Sequence, residues 1–255
     1  MTQAAKTLDL GKSTISRLLS TLAAGGFVAK NLETGQYGLG LRAYEVGLAY
    51  LSGLSLRRAT MPILEELAFA AHETVYLGIL GDRAGIYIDK ILSPLSLRVD
   101  SHIGFAVPLH ATALGKVLLA AQPAGYTDAL IEAGLRAYTR RTITAPRTLR
   151  AELRRVRIEG CALDLEEFEE NLNCIAFPLR DHRGTVVAAF SVSGPAVRLT
   201  RQVMEGYLPH FRQAASTISG RLGFSGGLEM ASSAAPPPGR RVAFSSRAAM
   251  SRKGG

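Results

Sequence analysis

Cysteine is scarce in this sequence: its 255 residues include only Cys161 and Cys174. A disulfide scaffold and a metal site built from cysteine pairs are excluded, and the usage fits a reducing cytoplasm. Long apolar runs are missing too. Val117–Ala121 and Val186–Val192 fall far short of the roughly 18 residues that a membrane span needs. No basic-then-apolar leader opens the chain, so secretion and a membrane partner are not expected. The histidines (His72, His102, His110, His182 and His210) lie far apart, with no pair at metal spacing. No metal and no cofactor is expected.

Catalytic signatures are equally absent. There is no Gly-x-Ser-x-Gly elbow. Gly11-Lys12-Ser13 and Gly115-Lys116 imitate a phosphate loop, but Lys6 and His110 stand where its earlier glycine belongs. Gly38 to Ala43 mimics a dinucleotide fingerprint without the parallel strand and crossover helix that it requires. Cys174 as a nucleophile has no base at an identifiable distance in the pattern. An enzyme is therefore not expected.

What is present is positive charge, +9 overall, distributed unevenly. Residues 225–255 hold Arg240, Arg241, Arg247, Arg252 and Lys253 against Glu229 alone, while residues 1–45 carry only a small excess. Such an excess attracts polyanions but also serves solubility, so charge does not decide the function.

Periodicity divides the chain into four parts: 1–40, 41–56, 57–222 and 223–255. In the first, Thr2–Leu8 reads as a short helix, followed by a turn at Leu8-Asp9-Leu10-Gly11 in which Gly11 is free to take positive φ. A second helix is predicted over Lys12–Ala24, with Ile15, Leu18, Leu19 and Leu22 as its apolar stripe, stopped by Gly25-Gly26. A hairpin follows, with strands Phe27–Asn31 and Gln36–Leu39. This order of elements is that of a winged helix-turn-helix. Leu41–Leu54 is a candidate linker helix, broken around Ser52-Gly53.

The third part mixes both periodicities. Arg57–Ala71, Ala111–Ala121, Tyr126–Ala133, Pro146–Glu159 and Thr200–Leu222 read as helices. Glu73–Leu80, Gly85–Ile91, Leu95–Asp100, Gly160–Leu165, Asn173–Arg180 and Thr185–Ser193 read as strands. Consecutive strands joined by turns, with the helices bundled together, predict an α+β fold with an antiparallel sheet. The last part, rich in Gly, Ser, Ala, Pro and Arg, reads as a flexible tail.

Several motifs then fall into one order. They are Lys12-Ser13-Thr14-Ile15-Ser16-Arg17-Leu18-Leu19 with Gly26-Phe27-Val28, Val107 through Lys116, Ala137-Tyr138-Thr139, Cys174 through Leu179, and Ser191 through Pro195. In this the chain resembles IclR-type bacterial transcriptional regulators across roughly residues 1–222. The resemblance implies a winged helix that binds operator DNA, a GAF-like domain that binds a small effector, and assembly as a dimer or tetramer. Lys12, Ser13, Thr14, Ser16 and Arg17 are expected to face DNA. Short hydroxyls permit close approach, and the basic groups reach phosphates or guanine edges. Lys30 is expected on the wing. The family also has a helix ahead of the Thr2–Leu8 segment that this sequence does not supply. The apolar stripe is therefore expected to lose a packing partner, leaving the DNA-binding part marginal. The alternative function is a small-molecule-binding GAF-like module with a non-functional DNA-binding head.

Carried over position by position, the implied effector contacts are the backbone near Ala113 and Leu114, then Asp164, Cys174, Ser191 and Ser193. The implied ligand is a small organic acid, favoured by the amides of a helix N-terminus. Ser191 and Ser193 are two residues apart and so share one face of a strand. Asp164 is expected to serve a ligand hydroxyl or to steady its loop, and His110 to orient its own loop. Asn171 stands where the family usually has glycine, and Asn is the next most tolerant of left-handed φ.

Overall fold

The structure is a computed structural model and describes residues 7–46 and 56–226. Backbone contacts divide the chain into two compact units at Thr60/Met61. Most of the predicted Thr2–Leu8 helix, the second half of the linker helix and the tail beyond Gly226 lie outside the described residues.

In the first unit, α1 (Lys12–Ala24) is followed by β1 (Val28–Lys30) and β2 (Tyr37–Leu39), paired antiparallel with Lys30 opposite Tyr37. The left-handed residue of the turn before α1 is Asp9 (φ 50°), not Gly11, which caps the helix at φ −60°. Aspartate is among the few side chains that tolerate this region. Gly26 takes φ 75° just beyond the end of α1, as expected of glycine at that place. Of the apolar stripe, Ile15 is buried, whereas Leu18 and Leu22 are 46% and 42% exposed. The wing turn is held by Asn31, whose Oδ1 accepts the N–H groups of Glu33 and Thr34, both at 2.9 Å.

The second unit is built on a six-stranded antiparallel sheet in the order β5-β4-β3-β8-β7-β6. Its strands are β3 (Thr74–Leu80), β4 (Ala84–Ile91), β5 (Ala106–Pro108), β6 (Ala162–Leu165), β7 (Leu172–Arg180) and β8 (Val186–Pro195). The helices are α2 (Leu56–Ala71), which begins just before the unit boundary, α3 (Ala113–Ala120), α4 (Ala124–Glu132), α5 (Pro146–Glu159) and α6 (Arg201–Arg221). β7 and β8 are nearly continuously buried because both faces of the sheet are covered. On one face, α3 packs with Tyr76, Tyr87, Cys174 and Ala176. On the other, Phe211 of α6 meets Phe177, which stacks on Phe190.

One predicted strand is overturned. Leu95–Asp100 bends through Leu97 and continues without regular structure, and the sheet edge beside β4 is taken instead by β5, whose Ala106 pairs with Ile86. Side chains satisfy the backbone of the 95–101 segment in place of a ladder. Arg198 donates to the Leu97 carbonyl, Thr74 Oγ1 to that of Val99, and the Ser101 N–H bonds Tyr76 Oη. A three-residue strand ending in proline gives too little alternation to be read from sequence.

Candidate functional site

The register of the sheet brings the predicted residues together. Asp164 pairs with Cys174, Cys174 with Ser193 and Ser193 with Thr74, making one rank across four strands. The neighbouring rank is Ala162, Ala176, Ser191 and Tyr76. Directly opposed residues in antiparallel strands share a face. The small side chains in these ranks leave space beneath the start of α3. There lies an enclosed cavity of about 30 Å³, room for a water or two. All six predicted effector residues (Ala113, Leu114, Asp164, Cys174, Ser191 and Ser193) line it.

The helix end above the cavity is fixed by Thr112, whose Oγ1 accepts the Gly115 N–H at 3.0 Å and donates to the Pro108 carbonyl at 2.9 Å. The N–H groups of Ala113 and Leu114 belong to the first turn and have no intrahelical acceptor. Gly115 lets the helix approach this closely, since a Cβ there would stand 2.5 Å from the Pro108 oxygen and 2.6 Å from Leu109 Cα. His110 is buried, and its Nε2 lies 2.9 Å from the Arg136 carbonyl oxygen. Burial holds its pKa below the ordinary imidazole value, despite that hydrogen bond. The ring thus fastens one loop to another.

The loop closing the cavity runs from Glu166 to Asn171, and both of these residues are left-handed, at φ 61° and 64°. Asn171 thus adopts the conformation expected of it. The loop is tied down by Thr139 and Thr142, whose hydroxyls donate to the Glu166 and Glu167 carbonyls at 2.7 and 2.6 Å. This gives the Ala137-Tyr138-Thr139 motif its local role.

The electrostatics are unusual for an anion site. No Lys, Arg or His lines the cavity, and Asp164 and Glu169 do. Burial pushes the Asp164 carboxyl up to about 7, and the Glu167 N–H that it accepts at 2.7 Å only partly offsets this. Burial likewise drives the Cys174 thiol well above its ordinary range, with the Asp164 charge adding to the effect. Ser191 and Ser193 are each 1% exposed; Ser191 Oγ has no hydrogen-bond partner, and Ser193 Oγ has only the Cys174 thiol beside it.

Sequence reasoning missed the ion pairs behind this loop. Lys116, the only charged residue of α3, is fully buried. Its Nζ lies 2.6 Å from Glu167 Oε1 and 3.3 Å from Glu152 Oε1 on α5. Glu152 in turn pairs with Arg155 at 2.8 Å. The signal was there: a single lysine in an otherwise apolar helix, in a chain with an acidic loop, calls for a partner.

In the first unit, Lys12, Ser13, Arg17 and Lys30 are exposed, while Thr14 and Ser16 are half-buried. None of the three basic groups is paired with a described acidic residue. All six lie on α1 or the wing strand β1.

A winged helix in one unit and a polar cavity under a helix start in the other define a transcription regulator with its own sensor domain. Residues 1–32 match the pattern of the IclR helix-turn-helix domain, and residues 48–220 that of the bacterial transcriptional regulator IclR C-terminal domain. The chain belongs to the IclR family. It is 36% identical to the HTH-type transcriptional regulator KdgR of Escherichia coli, over 88% of this chain and 86% of that protein. Among solved structures, an IclR transcriptional regulator from Silicibacter sp. TM1040 superposes with a TM-score of 0.82 at 26% identity, covering 88% of this chain and 89% of the other. An IclR homologue from Microbacterium hydrocarbonoxydans, solved with 4-hydroxybenzoate, shares the fold at 23% identity, with a TM-score of 0.71 over 86% and 88% of the two chains. The two domain matches and the identity to KdgR support a DNA-binding transcriptional regulator rather than a module with an inert head. Among the described residues, no helix is long and apolar enough to cross a membrane.

Proposed function

We propose that this regulator senses a small organic acid in the cavity beneath α3. The acid's carboxylate is held by the Ala113 and Leu114 N–H groups and by the Ser191 and Ser193 hydroxyls, beside the Cys174 thiol. Asp164 meets a ligand hydroxyl while bracing the loop through the Glu167 N–H. Lys12, Ser13, Thr14, Ser16, Arg17 and Lys30 contact operator DNA. The protein works in the cytoplasm as a homodimer or tetramer, without catalysis or a cofactor. Effector binding shifts the placement of two winged helices, and operator affinity changes by the difference in effector affinity between the two arrangements.

The observation that carries this reading is the pair of buried serine hydroxyls, of which Ser191 has no partner and Ser193 only the weakly bonding Cys174 thiol. A buried polar group left unsatisfied costs ~1–3 kcal/mol, and a bound anion recovers that loss. The absence of cationic side chains agrees with an anion held by dipoles and hydroxyls, as at helix N-termini.

The test is operator binding across a salt series, with and without a panel of small organic acids. Wild type should lose affinity steeply with salt and shift with one of the acids. A Ser191→Ala/Ser193→Ala variant should keep the salt slope while needing at least ~10-fold more acid. An unchanged acid response in that variant would overturn the cavity assignment. A flat salt dependence in wild type would overturn the DNA contacts.

A further inference from the structure

A second pocket lies on the other face of the sheet, against α6. It has a volume of about 250 Å³ and is open at one side. β6 begins at Ala162, which pairs with Ala176, so β7 has no β6 partner from Phe177 onward. That free stretch, the end of α5 and one face of α6 border this open groove.

The lining is chemically specific. Arg180 and Arg212 both face the pocket, and neither is paired with a carboxylate among the described residues. Arg180 donates to the Gly184 carbonyl at 2.9 Å, and Arg212 to that of Glu159 at 3.3 Å and to the Cys161 thiol, which still leaves guanidinium N–H groups on both. The carboxylate of Glu159 at the rim is engaged by Arg155. Ser216 Oγ is buried without a partner. Phe224 supplies aromatic wall, and the buried Phe177 lies beneath the floor.

We propose that this pocket is a second ligand site, taking an aromatic carboxylate: the acid group on Arg180, Arg212 and the Ser216 hydroxyl, the ring against Phe224. Paired guanidiniums match the geometry of a carboxylate. A flat ring gains from aromatic walls, as a hydrated inorganic anion does not. The site is separate from the cavity beneath α3, although β7 contributes Cys174 to one and Phe177 to the other.

Benzoate titrated calorimetrically into the full chain tests this, with inorganic phosphate as the comparison. Wild type should bind benzoate saturably, more weakly at high salt, and at least ~10-fold more tightly than phosphate. Arg212→Gln alters an exposed side chain and so keeps the fold; it should weaken benzoate at least ~10-fold. Phe224→Ala should weaken it several-fold. Ser191→Ala/Ser193→Ala should leave it unchanged. The proposal is overturned if benzoate does not saturate, if phosphate binds equally well, or if the serine variant loses binding while Arg212→Gln retains it. Because the effector reading is scored on operator release, either can fail without the other.

Discussion

Replacing Asp164 with asparagine should make the folded protein more stable above neutral pH. Asp164 is 1% exposed, and its pKa rises from an ordinary 3.8 to about 7, chiefly through burial. Between those two values the folded state holds a proton that the unfolded state has released. The Asp164 contribution is therefore most favourable below about pH 4, declines as pH rises, and levels off above pH 7. From 3.8 to about 7, at ~1.36 kcal/mol per tenfold change in proton affinity, the loss is ~4 kcal/mol. Asparagine carries no charge, and its Oδ1 still accepts the Glu167 N–H. Urea denaturation of both proteins in parallel at pH 5, 6, 7 and 8 isolates the effect, since other titrating groups are common to the two. The advantage of Asp164→Asn should be a few kcal/mol at pH 8 and shrink steadily toward pH 5. Because Asp164 and Glu167 lie close together, the midpoint belongs to the pair. A stability difference that stays constant from pH 5 to 8 would refute the claim that a buried proton sits on this carboxyl.

Further tests follow from other contacts. Lys116→Met leaves Glu167 and Glu152 without their shared cation and should cost ~3–5 kcal/mol by denaturant titration, whereas Lys116→Met/Glu167→Leu should recover part of that. Thr112→Ala removes the cap of α3 and should lower stability by ~1 kcal/mol, read as a fall in melting temperature. Gly115→Ala forces a methyl against the Pro108 carbonyl and the Leu109 backbone, which cannot swing aside. It should destabilise the protein by ~1–3 kcal/mol in thermal melts and blunt any response to acid. Arg17→Ala should weaken operator binding and reduce the slope against salt by roughly one counterion; an unchanged slope would remove Arg17 from the phosphate contacts.

Much of this structure was legible in the sequence, for reasons that differ by element. The bounds predicted for α1 match because an apolar stripe ends at two adjacent glycines, and α5 was readable from Pro146 at its start and Gly160 after its end. β7 and β8 announced themselves as apolar runs flanking the Asp181 to Gly184 turn. The convergence of Asp164, Cys174, Ser191 and Ser193 came from motif resemblance together with strand alternation, and the register places them on one face. The segment at 95–100 misled because alternating residues can also be satisfied by distant side chains such as Arg198. The Lys116–Glu167 pair joins residues 51 positions apart, a separation that no local pattern encodes. The pocket against α6 was invisible for the same reason, since Arg180 and Arg212 come to line one space only once β7 and α6 pack.

A chamber of about 30 Å³ is smaller than the organic acid proposed for it. Such a guest would have to dislodge part of its own housing to enter. The wall with least regular structure is the Glu166–Asn171 bend, clamped by Lys116 through Glu167 and by two threonines. On the proposed reading, occupancy would displace that bend. Sensing at this place would then require a change of shape.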